Sequence, residues 1–243
     1  MPMSRIGWIV ILLLFPLSLM AQRARPHNLG VFDYQQFHFG YSVGINRMGF
    51  TLVPTDSTYS IGLKQYPGIN INLITNFRLA KYLDLRINPG IQFSQRDLTV
   101  WRLSHVQDST GAVTVEASEQ WGPKKVESVF LDFPILLKYR AERVNNFAPY
   151  ILAGINPRID LTGGEIQNWK PVKRLVRAFD VYPELGIGFD FYTPRVKVVT
   201  ELKFAIGLLN VYKHPGQDAE YRLYAEGVSR IFSRMIVLSV HIE

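Results

Sequence analysis

The sequence predicts an all-β protein: an eight-stranded antiparallel transmembrane up-and-down β-barrel with a filled polar lumen. Three observations carry this. Apolar and polar residues alternate with a period of two, through segments often ten or more residues long, where soluble strands average about five or six. Aromatic residues gather near the ends of those segments: Phe37, Tyr66, Tyr82, Trp101, Tyr139, Tyr150, Tyr192 and Tyr212. Connections alternate long (Gly49–Pro67, Ser104–Val126, Thr162–Val176, Tyr212–Ser229) with short ones around Lys81, Asn145 and Pro194. Long outer loops and tight periplasmic turns are the habit of bacterial outer-membrane barrels, and an even strand number puts both termini in the periplasm.

The chain opens with Arg5, an apolar run from Ile6 to Met20, and Ala21 before Gln22. That order is a secretory signal, and the run is short for a membrane span. The expected organisation is a signal peptide over 1–21, a periplasmic segment over 22–36 and a barrel over 37–243. The chain has no cysteine, which excludes a lipidated N-terminus, disulfides, thiol catalysis and cysteine metal sites. The formal charge is +7; on an exported protein this points to lipid phosphates or anionic sugars as partners rather than nucleic acid.

The strands follow in order. The first covers about Phe37 to Met48. In the second, Ile69, Ile71, Leu73, Phe77 and Leu79 share one parity, and Asn70, Asn72, Asn76 and Arg78 the other. The third alternates Leu83, Leu85, Ile87, Ile91 and Phe93 with Asp84, Arg86, Asn88, Gln92, Ser94 and Arg96. In the fourth, Val129 through Tyr139 form an apolar row opposite Ser128, Asp132, Lys138 and Arg140. The fifth covers about Tyr150 to Asp160. The sixth sets Val181, Leu185, Ile187, Phe189 and Phe191 against Asp180, Glu184 and Asp190; the seventh sets Val196 through Leu208 against Lys197, Glu201 and Lys203. The last alternates Ile236, Leu238, Val240 and Ile242 with Ser239, His241 and Glu243.

Directly opposite residues in an antiparallel hairpin have numbers of constant sum and face the same side. A sum of 162 across Lys81 sets Arg78 against Asp84. A sum of 290 across Asn145 sets Asp132 against Arg158. A sum of 387 across Pro194 sets Asp190 against Lys197 and Glu184 against Lys203. Odd shifts would send charges into lipid, at roughly 2–4 kcal/mol near the midplane. Eight strands enclose just enough space for their own side chains, so these charges read as a filled core and not a pore.

No catalytic, cofactor or metal site emerges. Gly40-Tyr41-Ser42-Val43-Gly44 has the letters of a nucleophile elbow but lies inside a strand. Gly186-Ile187-Gly188 has neither a third glycine nor a following helix. The five histidines lack ligand spacing; His105 and His214, on outer loops, are the places a lipid-modifying enzyme would use. Lys170, Lys173, Arg174 and Arg177 form a basic loop group suited to lipopolysaccharide phosphates or an acidic partner.

Taken in order, HFGYSVGIN from His38, YPGININL from Tyr66, LDLRINPGIQFSQRDL from Leu83, ESVFLDFPILLKYRAERVNNFAPYILAGIN from Glu127, PELGIGFDFY from Pro183 and ELKFAIGLLNV from Glu201 resemble the PorT/SprT family of the type IX secretion system of Bacteroidetes. The resemblance implies an outer-membrane component needed for protein secretion, and for gliding where that occurs. It acts through contacts with other type IX subunits and brings no catalytic residues. The alternatives are a stand-alone surface barrel, adhesive or structural, and a lipid-modifying enzyme.

Overall fold

The computed structural model describes residues 28–30, 34–107, 113–162, 165–166, 176–214 and 221–243; the expected signal peptide lies outside them. The strands are β1 (Phe37–Pro54), β2 (Tyr59–Gln65), β3 (Pro67–Ala80), β4 (Leu83–Ile87), β5 (Gly90–Gln107), β6 (Val113–Asp132) and β7 (Ile135–Arg140). There follow β8 (Phe147–Asp160), β9 (Glu165–Ile166), β10 (Phe179–Tyr192), β11 (Lys197–Ile206), a one-turn-and-a-half helix α1 (Arg222–Gly227) and β12 (Val228–Ile242).

All ladders are antiparallel, and β1 pairs with both β3 and β12, so the sheet closes on itself. The ring has eight staves, because β2 with β3, β4 with β5, and β6 with β7 are single staves interrupted once each. Each interruption sits at a proline (Pro67, Pro89, Pro134), which has no N–H to give to a ladder. Across Pro89 and Pro134 the register runs straight through: Ile87 faces Ile135 and Gly90 faces Asp132, on one constant sum. Between β2 and β3 it shifts by one residue, from a sum of 161 against β5 to one of 162. The carbonyls of Pro89 and Pro134 still accept from Leu73 and Asn88, at 2.9 and 3.1 Å.

Burial is inside out. Leu73 and Leu185 are each 64% exposed, while Arg86 and Arg96 are at 0%. Apolar side chains of one parity make an outer belt of lipid-facing residues, and the polar parity fills the lumen. At the short-turn end the belt carries aromatic contacts, Phe147 on Phe189 and Phe191 and Phe37 on Phe77, at 5.2–5.5 Å between ring centres. Tyr150 and Tyr192, expected among the interfacial aromatics, are instead buried in the lumen; both have inward parity. Tyr212 packs into a cluster at the long-loop end.

Two of the expected loops are largely strand. β1 runs on to Pro54 and β2 begins at Tyr59, leaving a tight turn in which the Thr58 hydroxyl and amide both donate to Asp56. Those bonds hold the Asp56 carboxyl below the usual carboxylate range. Likewise β5 and β6 continue to Gln107 and Val113, past the level where β8 ends opposite Phe130. One side of the barrel therefore rises as a wall beyond the apolar belt.

Hairpin registers can be compared strand by strand. Across Lys81, Arg78 faces Asp84 and Asn76 faces Arg86, the sum of 162. Across Asn145, Asp132 faces Arg158 and Leu137 faces Ala153, the sum of 290. Across Pro194 the expectation is corrected: Gly186 faces Lys203 and Tyr192 faces Lys197, a sum of 389 in place of 387. The smaller sum would close on a two-residue turn of Thr193 and Pro194. Its favoured forms need φ > 0 at Thr193, or at both positions, against a β-branched side chain and a ring that fixes φ near −65°. The chain uses a four-residue turn, where the Thr193 amide donates to the Val196 carbonyl at 3.1 Å and the Val196 amide to Thr193 Oγ1 at 3.2 Å. The shift is even, so every side chain keeps its face.

Candidate functional site

The lumen holds the chain's densest chemistry. Its buried cations are Arg78, Arg86, Arg96, Lys138, Arg140, Arg158, Lys197 and Lys203; its carboxylates are Asp84, Asp132, Asp160, Asp180, Glu184, Asp190, Glu201 and Glu243. Eight face eight among the described residues, so the interior carries no net charge with which to attract an ionic solute.

Near the short turns, Lys138 Nζ donates to both oxygens of Asp190 at 2.8 Å, and Lys197 lies 3.4 Å from the same carboxylate. Lys197 also donates to Glu243 at 2.7 Å. Arg86 then joins Glu243 (3.2 Å) to Glu201 (2.7 Å) across the lumen, and Tyr150 Oη donates to Glu201 at 2.5 Å. Arg78 sits 3.4 Å from Asp84.

Higher up, Glu184 accepts from Asn156 (2.7 Å), Arg158 (2.9 Å) and Lys203 (3.1 Å). Arg158 Nε is 3.0 Å from Asp132, an ion pair whose N–H is not aimed at the oxygen. Glu184 with Lys203 and Asp190 with Lys197 are thus diagonal neighbours, not direct ones, because of the two-residue shift. Diagonal side chains lie about 7–8 Å apart at the backbone, within reach of a lysine stem. Parity shows which residues point inward but not which meet across the lumen; Arg86 with Glu201 and Glu243 is invisible to hairpin reasoning.

Above these clusters the lumen changes character. Arg96 lies at the boundary, its guanidinium 4.1 Å from the Phe50 ring centre and donating to Ser128 Oγ at 2.9 Å. Beyond it, Phe50, Leu98, Val100, Trp121, Val126, Leu223, Tyr224 and Ile231 form an apolar cluster lining the raised wall. Helix α1 supplies Leu223 and Tyr224, and the chain before it supplies Val211 and Tyr212. Burial pushes the Tyr224 phenol well up from its ordinary pKa. Asp180 ties this part down, its Oδ1 accepting from the amides of Val181 and Leu209 at 2.8 and 3.0 Å. At the opposite end Asn28 donates to Asn146 and to the Tyr192 carbonyl, and its own carbonyl accepts from Arg143.

One constellation resembles a hydrolytic relay. Ser239 Oγ is 2.9 Å from His241 Nε2, and Glu201 is 3.7 Å from that same nitrogen. A relay needs the acid on the other ring nitrogen, to orient the histidine while the first takes the serine proton. All three side chains are buried in the core, and the contacts do not have the geometry of such a relay. Ser42 likewise points inward from the straight strand β1. Lys170, Lys173 and Arg174 lie outside the described residues. Arg177 is described, its amide bonded to the Val211 carbonyl at 2.8 Å.

Among solved structures, the chain is similar to Neisserial surface protein A (10% identity, 86% of this chain and 99% of that one, TM-score 0.42). It is also similar to OprG from Pseudomonas aeruginosa (11%, 85% and 93%, TM-score 0.43). A third is Ail, the attachment invasion locus protein of Yersinia pestis (9%, 86% and 98%, TM-score 0.36). No curated protein matches it. The family described as outer membrane protein beta-barrel domain matches residues 20–213, most of the chain. With a closed antiparallel ring and an apolar outer belt already in hand, the chain belongs to this family of outer-membrane barrels.

Proposed function

We propose that the protein is a barrel component of type IX secretion, of the PorT/SprT kind, that works through contacts with other subunits. The ordered set of resembling segments supports the assignment; those segments fall on β1, β3, β4–β5, β6–β8, β10 and β11. The observation that carries the mode of action is the lumen. Filled with paired charges and covered by an apolar cluster, it suits a protein that operates by its surface and not as a conduit. Deleting the gene and following cargo that bears a type IX C-terminal signal tests this: export should fall to background and return with the intact gene. Unchanged export would overturn the proposal.

A second reading, a stand-alone surface barrel, is favoured by the raised wall, which gives a large surface beyond the membrane. Normal export together with lost adhesion or envelope integrity in the deletion strain would select it. Both readings need the long connections outside the cell and the short turns in the periplasm. An epitope inserted within Thr162–Val176 should be labelled on intact cells, and one beside Asn145 only after permeabilisation. The reverse pattern would invert the topology. In this orientation we propose that the same loop's basic residues meet lipopolysaccharide phosphates.

A further inference from the structure

The raised wall ends in an unusual margin. On one side β6 pairs with β5 all the way from Asp132 to Val113. On the other, β8 reaches only Phe130–Asp132 and β9 only Val126–Glu127. Among the described residues no strand pairs with this second margin between 113 and 121. Proline 123, which has no N–H, marks its lower limit. A row of unmatched N–H and C=O groups is a template for another strand, and proteins normally blunt it with lysine, proline or a very short edge. Here 113–121 contains neither lysine nor proline and begins Val-Thr-Val.

We infer that the 113–121 margin of β6 is a strand-addition site for an extended segment of another polypeptide. The edge is held in place beforehand, which lowers the ordering cost of binding. Trp121 packs on Tyr221 and Tyr224 at 5.8 and 5.3 Å between ring centres. Glu119 accepts from Arg102 and Arg222, each at 2.9 Å.

A second copy does not fit. Two copies in one membrane present the margin running the same way, so antiparallel pairing between them is barred. A two-fold axis along the membrane normal sets identical backbone groups level with one another, without the stagger a parallel ladder needs. A segment of a different chain is free of both constraints. The chemistry of the edge describes it: Glu116, Ser118 and Gln120 are exposed on one face and Val115 and Ala117 on the other, and the Glu116 carboxylate has no ion-pair partner among the described residues. The incoming strand sets a lysine or arginine against Glu116 on one face and an apolar side chain against Val115 on the other.

This goes beyond the secretion proposal and stands or falls without it. Hydrogen exchange of the full-length protein is compared between lipid nanodiscs, after purification, and the native outer membrane. In nanodiscs about half of the amides in 113–121 should exchange rapidly, since alternate N–H groups point away from β5. In the native membrane those amides should slow at least tenfold, and Glu116→Lys should remove most of that protection. Three results would each overturn the inference. Equal protection in both preparations means that the chain covers its own edge, and rapid exchange in both means that nothing binds. Greater protection in Glu116→Lys means that anionic lipid covers it.

Discussion

Replacing Glu184 with leucine should cost about 3–5 kcal/mol of folding free energy, the range for leaving one partner of a buried ion cluster uncompensated. Glu184 is buried and accepts from three donors, Asn156, Arg158 and Lys203. Without it Arg158 retains Asp132 at 3.0 Å, but the Lys203 ammonium loses the one carboxylate it bonds among the described residues. Adding Lys203→Met removes that stranded charge, so the double variant should recover a part of the loss, on the order of 1 kcal/mol. The exposed pair Lys81 and Glu142, 3.8 Å apart with side chains 74% and 77% accessible, supplies the contrast. Glu142→Leu should change stability by less than about 1 kcal/mol. Urea titrations in lipid vesicles measure all of these. Equal, additive losses from Glu184→Leu and Lys203→Met would show that the two do not act as a unit.

The belt, the strand order and two of three hairpin registers can be read from the sequence because one physical rule governs them. Within the hydrocarbon layer the apolar parity must face out, and a slip of one residue would bury charges in lipid. An even slip violates nothing in that rule, which is why the register across Pro194 is decided by turn geometry and not by pattern. Beyond the belt the rule reverses. In β2, Ile61 and Leu63 pack inward while Ser60 and Lys64 take the other face; in β6, Trp121 is buried and Glu116, Ser118 and Gln120 are exposed. One-residue register shifts, between β2 and β3 against β5 and between Leu98 and Val100 against β6, turn the apolar parity inward there, so a search for apolar-out alternation reads these segments as loops. Glu243 closes the last strand's polar row, but parity alone does not reveal that it joins Arg86 to Lys197.

The lumen should carry no steady ionic current, and it should stay closed even when its apolar cover is removed. Two barriers lie in series. The outer one is the cluster around Trp121 and Tyr224, where an ion would leave water with nothing polar to replace its hydration. The inner one is the paired core, in which Arg86 bridges Glu201 and Glu243 across the width of the barrel. Eight strands leave room for little besides such side chains. Truncating the cover with Trp121→Ala and Tyr224→Ala should cost stability heavily, since aromatic-to-alanine changes in a core run to about 3–5 kcal/mol each. It should not produce a channel, because the core beneath is neutral, bonded across the lumen and independent of those rings. In planar bilayers the unaltered protein and the truncated one should both remain at the leak of the bare membrane, with folding checked by heat-modifiable gel mobility. Steady conductance from the unaltered protein would refute the filled lumen. Conductance from the truncated protein alone would show that the apolar cover is the only seal and that the charge network is permeable.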